Sequence, residues 1–76
     1  MYVLEIETKN TIKKIKEPRK VVIKDYIFID VLEVLDDYGR WHKITNVHTA
    51  YARDHAKWEI ERAIKKKKTY VNLKDI

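Results

Sequence analysis

The chain has no cysteine, no serine and no glutamine, and Gly39 and Pro18 are its only strong backbone punctuators. Without cysteine, neither a disulfide nor a thiolate metal cluster can reinforce a small core. Serine and cysteine nucleophiles are excluded outright, and one glycine cannot build a glycine-rich phosphate loop. The longest apolar run falls far below the roughly 20 residues a membrane-spanning helix needs. The N-terminal Met1-Tyr2-Val3-Leu4-Glu5 lacks the basic and then apolar layout of a secretion signal. These absences lead to the expectation of a soluble, cytoplasmic protein that is not an enzyme.

The 76 residues present give room for one domain and one modest core. A chain this short buries only about 60% of the surface its unfolded form exposes, so oligomerisation is an open route to further burial. Ten isoleucines and thirteen lysines fit either an AT-rich genome or a hot habitat.

Net charge is +5, and its order along the chain is basic, acidic, basic. Lys9, Lys13, Lys14, Lys16, Arg19, Lys20 and Lys24 face only Glu17 in the first block. Asp25, Asp30, Glu33, Asp36 and Asp37 make up the second, with no cation among residues 25–39. From Arg40 the chain turns basic again and reaches Lys65-Lys66-Lys67-Lys68. Basic segments attract polyanions through counterion release, while the acidic block repels them unless it lies elsewhere on the surface. The same alternation also suits self-association.

Residues 2–8 alternate, with Tyr2, Leu4 and Ile6 on one side and Val3, Glu5 and Glu7 on the other, as a half-buried strand does. Lys9-Asn10 is read as a two-residue turn into a short basic strand, with a mobile loop as the alternative. Pro18 ends that segment, and Val21-Val22-Ile23 opens a second strand. Residues 26–38 fit two patterns. A helix would segregate Ile27, Phe28, Val31, Leu32, Val34 and Leu35 from the acids, with Asp25 as N-cap and Gly39 just past its end. A strand suits the β-branched and aromatic content better, and Asp36 and Asp37 at a helix C-terminus would oppose its dipole. The hairpin is therefore favoured: strand 26–35, an Asp-Asp-Tyr-Gly turn, and a return over 40–47.

Both faces of such a strand are apolar, and one helix covers only one of them. The other face needs either curling into a barrel or a second subunit. Gly39-Arg40-Trp41-His42-Lys43-Ile44 resembles the Gly-x-Trp-x-Lys-apolar hairpin of bacterial SH3-like domains. The resemblance spans six residues and implies a curled SH3-like sheet, with no function attached. The expected fold class is α+β: a small, strongly bent antiparallel sheet of four to five strands, either an SH3-like barrel or a homodimer. One helix spans about 49–68, capped by Thr49, and Thr69–Leu73 adds a short closing strand.

That helix carries the main functional signal. At about 100° per residue, Ala52, Ala56, Ile60, Ala63 and Ile64 form one stripe. Tyr51, His55, Trp58 and Arg62 form another on nearly the opposite side, extended by Lys65 and Lys66. Docking the first stripe exposes the second, and an exposed Trp58 calls for a partner. Rings stack on bases and the cations neutralise phosphates, while Trp, Tyr and Arg also dominate protein–protein hot spots.

His42, His48 and His55 lie on different elements at no metal-ligand spacing, and the acids crowd one hairpin rather than converging from separate elements. No metal or cofactor is expected. The first functional expectation is a non-catalytic nucleic-acid-binding protein. Its grip would come from Lys13, Lys14, Lys16, Arg19 and Lys20 together with the helix stripe. The alternative is a protein-binding module or inhibitor of the viral or mobile-element kind. It would act through the same stripe, or through an acidic hairpin of Asp30, Glu33, Asp36 and Asp37.

Overall fold

A computed structural model describes residues 1–76. The chain forms β1 (Val3–Glu7), β2 (Ile12–Lys16), β3 (Pro18–Asp25), β4 (Asp30–Asp36), β5 (Trp41–Val47), α1 (Ala50–Lys65) and β6 (Tyr70–Asn72). The strands form two three-stranded sheets, ordered β2-β1-β6 and β3-β4-β5. The α+β class and the single helix match expectation. A single sheet of four or five strands and a closed SH3-like barrel do not. The chain has six strands, β6 joins β1 in parallel, and the outer strands β2 and β5 form no ladder with each other.

The division arises at Glu17. β2 and β3 are nearly one continuous strand, bent where Glu17 takes a left-handed φ of 51°. Its N–H donates to the Tyr2 carbonyl at 2.7 Å, and its own carbonyl accepts from the Asp37 N–H at 2.9 Å. The carboxylate also accepts from the Tyr2 N–H at 2.6 Å. One residue thus ties the start of the first sheet to the turn beyond β4. Pro18 follows, buried and without an N–H, and the β3·β4 register shifts between Pro18 and Lys20.

Local chemistry explains the rest of the elements. The β1–β2 turn has Lys9-Asn10 at its centre, closed by the Thr8 N–H donating to the Thr11 carbonyl at 2.8 Å. Thr49 caps α1, its hydroxyl accepting from the Ala52 N–H at 3.0 Å. At the other end Lys67 takes φ 54°. The Lys68 and Lys67 N–H groups then donate to the Ala63 and Ile64 carbonyls in a Schellman arrangement. The Tyr2 hydroxyl donates to the Ala63 carbonyl at 3.1 Å, pinning this helix end to the first sheet.

The core lies between both sheets and the helix. Leu4, Ile6 and Ile15 come from the first sheet, Val21, Leu32, Val34, Ile44 and Val47 from the second, and Ala56, Ile60 and Ala63 from α1. Each fully buried aliphatic side chain contributes about 1.5–3 kcal/mol. The strand expected over 26–35 begins only at Asp30. Residues 26–29 form the β3–β4 turn, closed by the Tyr26 N–H donating to the Ile29 carbonyl at 2.9 Å. β-Propensity at Ile27 and Phe28 yields there to the end of the ladder, where Asp25 pairs with Asp30.

The second apolar row of β4 is covered from within the chain. Val31 is only 1% exposed although it lies outside the main core cluster. On that side the Tyr26 hydroxyl donates to Glu33 at 2.7 Å. The Lys24 Nζ lies 3.6 Å from the centre of the Trp41 ring. Long amphipathic side chains lay their stems across the row and keep their charges in water.

The Glu17 bend has a measurable consequence. A non-glycine residue in this conformation costs about 1–2 kcal/mol. Glu17→Ala keeps that cost and loses the carboxylate that accepts from the Tyr2 N–H, so it should destabilise the fold in urea unfolding, and Glu17→Gly should recover about 1 kcal/mol of that loss. Equal stabilities for the two variants would mean that the bend does not hold Glu17 left-handed.

Candidate functional site

Helical periodicity places every residue of the outer stripe on one exposed row of α1. Ala56, Ile60 and Ala63 are buried against the sheets. Opposite them, Tyr51 is 74% and Trp58 53% exposed, His55 is half-buried, and Arg62, Lys65 and Lys66 are open. The row runs about 20 Å at the helical rise of 1.5 Å per residue.

Its members are already arranged in pairs. The Tyr51 and His55 rings stack with centroids 5.5 Å apart and planes 8° off parallel, as the spacing of four residues brings them together. The Arg62 guanidinium lies 5.1 Å from the centre of the Trp58 ring. Trp58, Glu61, Arg62, Lys65 and Lys66 line a shallow groove of about 380 Å³.

The basic arm of β2 and β3 is divided between the two sheets. Ile15 points into the core, so Lys14 and Lys16 lie on the outward face of β2, where Lys14 is opposite Glu5. Lys13 has the inward parity and donates its ammonium to the Lys43 carbonyl, bridging β2 to β5. Lys20 sits opposite Leu35 on the second sheet, with Arg19 at the register shift, both exposed.

The acidic candidates also divide. Asp37 is exposed. Asp30 meets Arg53 of α1 at 3.4 Å, and a hydrogen bond with Asp25 pushes its carboxyl up, with desolvation adding to the effect. Glu33 is buried beneath Tyr26 and lies 3.8 Å from Lys24. Asp36 is buried in the β4–β5 turn. One of its oxygens accepts from the Tyr38 N–H at 2.8 Å and the Arg40 N–H at 2.9 Å; the other meets His42 Nε2 at 2.8 Å. Glu33 and Asp36 are committed to internal partners and are not open to a docking protein. Gly39, at φ 82°, completes that turn.

A cleft of about 810 Å³ is larger than the groove on α1. It opens in the seam between β2 and β5, beside the start of α1. Tyr51, Ala52, Ile44 and Ile76 line it, with Lys9 and Lys43 at its edge. Sequence reasoning missed this seam, because it depends on two strands that do not pair. It also missed the β3–β4 turn, where Ile27 is 91% and Phe28 97% exposed; the aspartates flanking residues 26–29 were the available signal. No group of three or more metal-capable side chains comes together, and no helix is long and apolar enough to cross a membrane. Comparison with protein-family models, curated proteins and solved structures finds no match for the chain.

The Asp36 arrangement makes stability depend on pH. The hydrogen bond with His42, and then those from the Arg40 and Tyr38 N–H groups, hold the Asp36 carboxyl below its ordinary value. A depressed carboxyl stabilises the fold fully above the unfolded value near 4 and loses that contribution as pH falls through the folded value. The acid limb of the wild-type unfolding curve should therefore be steeper than that of Asp36→Asn. At neutral pH, Asp36→Ala should lower Tm markedly, whereas Asp37→Ala should stay within about 4 °C of wild type. Thermal melts across pH read both comparisons.

Proposed function

We propose that this chain is a non-catalytic protein that binds single-stranded nucleic acid along the outer face of α1, in a cytoplasmic setting. One observation carries the reading: Tyr51, Trp58, Arg62, Lys65 and Lys66 share one exposed helical row with half-buried His55, Tyr51 stacked on His55 and Arg62 on Trp58. Every base has a π-face, so a row of rings accepts unpaired bases with little regard to sequence. Arg62, Lys65 and Lys66 neutralise the phosphates that run beside them. Duplex reading uses Arg, Asn or Gln at base edges in the major groove; of these the stripe holds only Arg62, which lies against Trp58, and its other members are rings and lysines, which favours the single strand.

Preorganisation supports the same reading. The buried stripe and both helix caps fix the backbone beneath the rings, so binding orders few new groups. The exposed basic residues of β2 and β3, Lys14, Lys16, Arg19 and Lys20, add long-range attraction for a polyanion.

Titration of a labelled oligothymidylate, and of its RNA counterpart, tests the proposal. If three cations neutralise three phosphates, the log–log salt slope should be about −2, since single strands give roughly −0.7 per phosphate. Trp58→Ala should weaken binding by about 5- to 100-fold, the loss of one stacked base, with the fold intact. Absence of binding to both DNA and RNA at low salt would contradict the proposal.

A further inference from the structure

The β3–β4 turn presents two adjacent apolar side chains, Ile27 and Phe28, almost wholly in water. Turn tips are ordinarily built from polar residues or glycine, and neither side chain packs on its own chain. The turn is closed by a backbone hydrogen bond, so the tip is held out rather than trailing. Below the tip, Asp25 and Asp30 face each other across the ladder, with Arg53 the one cation bridged to either of them.

The seam cleft has the opposite character. Its lining carries Lys9, Lys13 and Lys43 against one carboxylate, Asp75, and neither Lys9 nor Lys43 is bridged to a carboxylate. Tyr51 and Ile76 supply apolar surface inside. A tip that is apolar with an acidic base thus meets a recess that offers some apolar surface and more cations than carboxylates. The two lie at the same end of the second sheet, because Asp30, where the tip rejoins β4, pairs with Val47, which lines the cleft.

We infer that the chain forms a two-fold homodimer in which the Ile27–Phe28 tip of each copy enters the β2–β5 seam cleft of the other. A two-fold axis through that shared end makes the contact isologous: each copy gives one tip and receives one. Phe28 is the central anchor, and Asp25 and Asp30 of each copy meet Lys43 and Lys9 of the other. The dimer uses a surface largely separate from the nucleic-acid row, sharing only Tyr51 at the cleft mouth. The same acidic base sets the tip against an anionic lipid surface, which it would repel.

Sedimentation velocity from micromolar to millimolar protein tests this on the full chain. Wild type should pass from monomer to dimer over that range. Phe28→Asp should weaken dimerisation by about 30-fold or more, the loss of a central anchor, with an unchanged circular dichroism spectrum because Phe28 touches nothing in the monomer. Lys43→Glu alone should also weaken the dimer, and Asp25→Lys added to it should restore association. A wild-type chain that stays monomeric throughout would overturn the inference. So would a Phe28→Asp variant that still dimerises like wild type, or a charge swap that rescues nothing.

Discussion

Glu17, in a left-handed conformation, hydrogen-bonds to Tyr2 with both backbone and side chain and receives the Asp37 N–H on its carbonyl. Those contacts let one nearly continuous strand serve two sheets. Because β2 and β3 diverge there, the far edges β2 and β5 come close without pairing, and the Lys13 side chain spans what a ladder would otherwise close. The seam cleft is the direct product of that failure to close. The bend also sets the angle between the sheets that leaves room for Ile60, Ala56 and Ala63 of α1 in a shared core. Tyr2, fixed by Glu17 at one end, reaches the C-terminal end of α1 through its hydroxyl.

The helix is held at both ends and along its inner face, so its outer face is presented rigidly. The small side chains Ala56 and Ala63 allow α1 to sit close to the sheets, while the rings of Tyr51 and Trp58 stay outside. Stacking of Tyr51 on His55, and of Arg62 on Trp58, limits the rotamers those side chains sample before any ligand arrives. The polar network of the β4–β5 hairpin has a different task. Asp36 and Glu33 spend their hydrogen bonds on Tyr38, Arg40, His42 and Tyr26, which fixes the hairpin and covers its second face.

The elements that local pattern controls were legible in the sequence. Alternation around Leu4 and Ile6 marked β1, Lys9-Asn10 marked the first turn, the Thr49 cap and the 3.6-residue period marked α1, and Asp-Asp-Tyr-Gly marked the turn into β5. The exposure of the aromatic row followed from the same period. Features that depend on distant partners were not legible. A left-handed Glu17 has no sequence mark, since glycine is the residue that normally announces that conformation. Without it, the split into two sheets and the seam could not be foreseen. Ile27 and Phe28 read as strand residues because their side chains favour extended structure, yet the ladder ends before them. Glu33 and Asp36 read as solvated acids, because only the folded register brings Tyr26 and His42 onto them.

Backbone amide NMR, titrated with a short unlabelled oligothymidylate, tests most directly the proposal that a nucleic acid strand lies along the outer face of α1. Shift changes should concentrate at Tyr51, His55, Trp58, Arg62, Lys65 and Lys66, with the Trp58 indole N–H among the largest, and little change along the outward face of β2. A footprint centred on Lys14, Lys16 and Lys20 with α1 unmoved would contradict it.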